Sequence, residues 1–240
     1  MPIKSIYLTI DDAPSMHMGK KVAFLKKHSI PALFYARGEH IKKYPEQIIN
    51  AINNGFLIGN HSLSHPSFST ITLQECFDEI VATEQLIDEC YAQAQVRRPH
   101  KVMRFPFGDR GAGPDGAQAH TERQLIHVQQ IQHFLKENNF SQIIFGMHKD
   151  SFTDSFIDSL WDWDTQDYKS KHIQNFMLYL ERLNAFCDTY TSESAIMLVH
   201  DFDGNHQLFE LTMQFLMAQN IQFLDYVFLT NNMLPKNHCC

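Results

Sequence analysis

The apolar run "IYLTI" ends in two adjacent carboxylates, Asp11 and Asp12, followed by "APS". At a strand end, such a pair could divide a hydrolytic task. One carboxylate would bind a metal ion and the other would accept a proton from the water that ion activates. The same "DDAPS" is also ordinary turn chemistry. In "HSLSH", His61 and His65 are four residues apart, so a helical turn there would put both imidazoles on one face. Otherwise they are surface or capping histidines. With Asp12 they make a two-histidine, one-carboxylate set, which leaves positions open as a catalytic metal site requires.

Arg104 stands in the apolar frame "VMRFPF". A buried guanidinium needs an anionic partner, either in a structural ion pair or as a catalytic carboxylate held in place and kept ionised. His200 follows "AIMLV". It is a core histidine or, beside a metal site, a general acid tuned by a carboxylate. Asp167 is a candidate for that carboxylate, with Asp162, Asp164 and Asp201 as rivals. His127 and His133 fall on a predicted helix and read as solvated or partly buried surface groups.

These residues need elements to bring them together. Strands are predicted at Ile3–Ile10, Pro31–Ala36, Phe56–Gly59, Lys101–Phe105, Gln142–Phe145, Leu160–Asp164, Ala195–His200 and Ile221–Val227. Helices are predicted at Gly19–Ser29, from Pro45 with Ile48, Ile49 and Ile52 as its apolar face and Gly55 as its stop, and at Lys171–Tyr190 and about Gln207–Ala218. Thr72 with Glu75, and Thr121 with Gln124, are capping boxes that open helices running to about Cys90 and Glu137.

Strand–helix alternation over one length of chain predicts a parallel sheet, and this number of strands suits a distorted (β/α)7-8 barrel in a single domain, 1–240. In such folds the carboxyl ends of the strands share one face, so the scattered polar clusters converge there. The glycine-rich 108–120 and the irregular 146–159 read as long surface loops flanking that face.

With 240 residues and a net charge of -7 the chain lacks the basic footprint of a nucleic-acid binder, and the charge also opposes anionic membranes. No apolar run is long enough to span a bilayer. No secretory leader pattern is seen, and the odd cysteine count (Cys76, Cys90, Cys187, Cys239, Cys240) reads as reduced thiols, so a cytoplasmic protein is expected.

Five motifs in order resemble the polysaccharide deacetylase family (carbohydrate esterase family 4, the NodB homology domain). They are Thr9-Ile10-Asp11-Asp12, His61-Ser62-Leu63-Ser64-His65, Arg104-Phe105-Pro106-Phe107, Asp164-Thr165-Gln166-Asp167-Tyr168 and Leu198-Val199-His200. The resemblance spans about residues 3–230. It implies that Asp12, His61 and His65 bind one divalent ion, often zinc, with cobalt, nickel or another divalent ion as substitutes. It implies Asp11 as general base, oriented by Arg104, and His200 as general acid, set by Asp167. The backbone N–H of Phe107 would stabilise the oxyanion, and Leu198 and Tyr168 would line the pocket for an acetyl methyl.

The expected reaction is hydrolysis of an N-acetyl group on an amino sugar or its oligomer, by metal-activated water. Alternatives are a hydrolase of a small non-sugar amide or O-acetyl ester, and a non-catalytic metal- or carbohydrate-binding module. Two positions depart from the family pattern, Ala13 for its usual glycine and Tyr168 for its usual tryptophan. Phe107, Trp161, Trp163 and Tyr168 are candidate sugar platforms, or core residues.

Overall fold

A computed structural model describes residues 3–144, 157–158, 160–170 and 176–228 of the chain. Its first half carries β1 (Ser5–Ala13), α1 (Met18–Lys27), β2 (Ala32–Ala36), α2 (Gly38–Lys43), α3 (Pro45–Asn53), β3 (Leu57–Asn60) and α4 (Leu73–Ala94). The second half carries α5 (Glu122–Glu137), β4 (Ile143–Ile144), β5 (Trp163–Asp164), α6 (Phe176–Thr189), β6 (Ser194–His200), α7 (His206–Ala218), β7 (Gln222–Phe223) and β8 (Val227–Phe228).

The strands form the parallel core of a distorted (β/α) barrel, in the order β3-β2-β1-β6-β5. β1 is central. One of its edges pairs with β6 from Ser5 to Asp11; the other pairs first with β7 at Ser5 and Ile6, then with β2 from Leu8 onward. One of its faces packs on helices and the other lines the barrel interior, where Tyr7 joins Leu33, Tyr35 and Val102, so almost all of β1 is buried. Ile6, Leu8 and Ile10 pack with Met18, Val22 and Leu25 of α1 in the largest core cluster. Both capping boxes form, at Thr72 and at Thr121. Gly55 takes φ +88 after α3, which is the stop the sequence indicates.

Several predicted elements differ. Lys101–Phe105 is an extended segment with isolated bridges only, Met103 to Asn60 and Lys101 to Phe140, because its neighbours change along its length. The predicted strand Ile221–Val227 divides. β7 joins β1 in parallel, whereas β8 turns away to pair antiparallel with β4. α2 was not anticipated. Loop 108–120 is not wholly on the surface: Gly108, Asp109, Gly111 and Ala112 are buried. Most of 146–159, the start of the predicted Lys171 helix, and Cys239 and Cys240 lie outside the described residues. Cys76, Cys90 and Cys187 are buried free thiols. Among the described residues no helix is long and apolar enough to cross a membrane.

Candidate active site

β1 delivers both carboxylates to the carboxyl end of the sheet. Asp11 continues the strand in register with His200 of β6. Asp12 then takes φ 63, and the register with β2 shifts between Ile10 and Ala13. That break in the strict two-residue alternation of a strand lets neighbouring side chains serve one site.

β3 delivers the histidines, although not by the helical turn that their spacing suggests. Ser62 and His65 both adopt positive φ, 61 and 67. Asn60 Oδ1 accepts the Ser62 N–H at 2.8 Å, and Ser62 Oγ accepts the His65 N–H at 3.1 Å. These side-chain turns compete with helix and fold the loop back on itself. The outcome is still convergent, with His65 Nε2 lying 3.2 Å from His61 Nε2 and 3.6 Å from Asp12 Oδ1.

One ligand atom from each of Asp12, His61 and His65 lies within 4.8 Å of the others. Asp12 Oδ1 is buried and has no hydrogen-bond partner. His61 Nδ1 donates to the Arg104 carbonyl at 2.8 Å, which turns its Nε2 lone pair inward as a second-sphere contact does. Burial first, then the neighbouring His65, pushes the His61 imidazole down to about 3, so it is neutral as a ligand must be. The set therefore fits a divalent ion of the zinc, cobalt or nickel kind. His61→Ala should lose the ion while the fold persists. Elemental analysis of the purified variant checks this, and unchanged stoichiometry would refute the triad.

Arg104 is 1 % exposed. Its Nη1 donates to Asp11 Oδ1 at 2.9 Å and to Thr9 Oγ1 at 2.7 Å. Tyr35 and Trp161 flank the guanidinium at 4.5 and 5.5 Å from their ring centres. Arg104 thus fixes the Asp11 carboxylate, but it does not control its proton affinity alone. Burial raises the Asp11 pKa, and Arg104 and His200 only offset part of that.

Among the rival carboxylates, Asp167 is the one on His200. Asp167 Oδ1 accepts from His200 Nδ1 at 2.7 Å and Asp167 Oδ2 accepts the His200 N–H at 3.0 Å. Burial works to lower the imidazole pKa, and the Asp167 hydrogen bond and charge, with Asp11 and Asp12, overcome it and lift it to about 9. Asp201 instead pairs with Lys21, Asp162 accepts the Ile196 N–H, and Asp164 caps the Gln166 N–H.

Phe107 has φ 56 in the turn after Arg104, and its ring is 51 % exposed, edge-on to His65 at 4.6 Å. Tyr168 is 37 % exposed and edge-on to His200 at 5.1 Å. These two aromatics reach the rim. Trp163 does not, because it stacks on Phe186 at 3.9 Å, and Trp161 packs half-buried against Arg104. Leu198 is buried on β6, beside Thr9 and Asp164 in register.

Other site neighbours went unnoticed in the sequence. Arg37, at the carboxyl end of β2, donates to the Ser64 carbonyl at 3.2 Å and stands 3.8 Å from Asp12. Its strand-end position was the available signal. Asp109 is the anchor of the glycine-rich loop. It accepts the N–H groups of Gly111, Gly113 and Ser69, and it draws the loop onto the segment that follows His65.

The sequence pattern of the family described as polysaccharide deacetylase matches residues 1–122. A peptidoglycan-N-acetylglucosamine deacetylase of Bacillus cereus is 33% identical over 105 residues, 43% of this chain and 36% of that protein. A chitooligosaccharide deacetylase of Rhizobium leguminosarum bv. trifolii is 32% identical over 95 residues, 39% of this chain and 44% of that protein. The matched regions thus span less than half the length of both relatives. The structure of the peptidoglycan deacetylase PdaC from Bacillus subtilis has the same fold, with a TM-score of 0.62 and 21% identity over 93% of this chain and 88% of that one.

Proposed function

The chain belongs to the polysaccharide deacetylase family, and from that premise we propose that it is a metal-dependent hydrolase that removes an N-acetyl group from an amino sugar or its oligomer. The observation that carries the reading is the Asp12, His61 and His65 cluster, with Asp11 lying 3.6 Å from His61 Nε2 and the Asp167-bound His200 in register beside Asp11. The named relatives act on N-acetylated sugars by their own descriptions, which supports that substrate class.

A divalent ion on the three ligands would supply Lewis acidity to the acetyl carbonyl and to an adjacent water. Asp11 accepts the proton of that water, held in line by Arg104. His200, kept protonated by Asp167, donates to the leaving nitrogen. The N–H of Phe107 faces the developing oxyanion, a contact worth roughly 3 kcal/mol per donor. Leu198 and Tyr168 flank the acetyl methyl.

Acetate release from N-acetylated amino-sugar oligomers, measured with added divalent ion, tests the proposal. Chelation should abolish release and re-addition of the ion should restore it. Absence of acetate from every such substrate under metal-loaded conditions would refute it.

The pH profile should be bell-shaped. His200 works while protonated, so the basic limb should fall near pH 9 instead of the ordinary imidazole range of about 6.5. The raised Asp11 pKa places the acid limb above the usual carboxylate range. The sign for stability follows from the same shift. A folded-state pKa above the unfolded one contributes stability that is complete below about pH 6.5 and is lost as pH rises through about 9. Steady-state rates and melting temperatures across that window check both, and a flat rate profile would refute the base–acid pair.

A further inference from the structure

Lys21 lies on the apolar face of α1, in line with Met18, Val22 and Leu25, yet it is 0 % exposed. A buried ammonium survives only where acceptors surround it. Lys21 Nζ donates to Asp201 Oδ1 at 2.5 Å, to Asn205 Oδ1, and to the His200 carbonyl at 3.4 Å. Asp201 is equally buried, and it accepts the Ser15 N–H at 2.6 Å and the Ser15 hydroxyl at 2.8 Å. Its own N–H donates to the Asp11 carbonyl at 2.7 Å.

Asn205 makes the cluster more than a structural ion pair. It occupies the N-cap of α7, where an asparagine side chain ordinarily caps the helix, but here it makes no capping bond. Its amide faces inward. Lys21 has donors and no acceptor, so the Asn205 carbonyl oxygen must face it and the NH2 must point the other way. Nδ2 then donates to the His200 carbonyl at 2.8 Å and to Asp167 Oδ2 at 3.4 Å. A favourable helix cap is forgone for a contact with the carboxylate that holds His200, and local rules are broken in this way chiefly at functional sites.

We propose that Lys21 and Asn205 are positioning residues for proton donation, with Lys21 fixing the polarity of the Asn205 amide and Asn205 fixing the Asp167 carboxylate on His200. The proposal rests on the reading of His200 as general acid. His200 is otherwise faced by Asp11 across the strand pair, by Asp164 and by the edge of Tyr168. None of these donates to Asp167, whose Oδ2 is held by the His200 N–H at 3.0 Å, and Asn205 is the side chain that adds a second donor to that oxygen.

The test uses the full chain loaded with zinc, with tri-N-acetylchitotriose as substrate. Asn205→Ala keeps the Lys21–Asp201 pair intact and should fold. Its kcat should fall at least about tenfold, with KM and metal content unchanged, because misalignment acts on the chemical step. The Nδ1 proton resonance of His200 should move upfield as its bond to Asp167 loosens. Lys21→Met combined with Asp201→Asn removes both charges and should reproduce the kcat loss, with no further loss when Asn205→Ala is added. Unchanged kcat and resonance in Asn205→Ala would overturn the proposal, as would losses that multiply in the triple variant. If the native chain releases no acetate, the functional reading fails separately, and the His200 resonance in Asn205→Ala decides the positioning role by itself.

Discussion

Asp11→Asn is expected to lower kcat about a thousandfold while the bound metal stays, within the range of a lost general base. Asparagine keeps the shape of the side chain and can still accept from Arg104 Nη1, which lies 2.9 Å from Oδ1 in the native site. It cannot take up the proton of the water. The proposed metal ligands are Asp12, His61 and His65, so the ion should remain. Paired measurement of turnover and metal content separates the roles of the two adjacent aspartates. A variant with native turnover would remove Asp11 from the mechanism, and loss of the ion would make it a ligand.

Arg104→Met should damage both stability and rate. The Arg104 and Asp11 side chains are both nearly fully buried, so removing the cation strands a buried carboxylate. Breaking such a pair costs about 3–5 kcal/mol, and the stranded group answers by binding a proton. The Asp11 pKa is already raised by burial, and without Arg104 it rises further. The base then stays protonated to a higher pH, so the acid limb of the rate profile should move to higher pH as the melting temperature falls. Thermal denaturation and a pH–rate series check the two effects. An unchanged acid limb would show that Arg104 is structural only.

The site could be read from the sequence wherever it depended on strand ends. Asp11, Asp12, His61, Arg104 and His200 each follow or end an apolar run, and a parallel sheet gathers such positions by topology alone. What could not be read depended on side chains distant in the chain. "HSLSH" has helical spacing, yet the Asn60 side chain and positive φ at Ser62 and His65 bend it into a different turn. "GKKVAFL" reads as an amphipathic helix whose spacing puts Lys21 on the side of Met18, Val22 and Leu25, but the acceptors that let an ammonium be buried there, Asp201 and Asn205, lie far away in sequence. "IQFLDYV" reads as one strand and splits, because β1 claims Gln222 and Phe223 whereas β4 pairs with Val227 and Phe228. The rim aromatics divide similarly. Trp163 has Phe186 to stack on, whereas Phe107 and Tyr168 do not share that shelter.

Asp11 and His200 stand in register on adjacent parallel strands. The proposed proton acceptor and proton donor are carried by backbones that lie about 4.8 Å apart. Their placement relative to each other is therefore set by the backbone frame. The rim aromatics and the glycine-rich loop lie outside that frame. Substrate choice can drift in those segments, or be engineered there by loop exchange, without the chemistry having to be rebuilt.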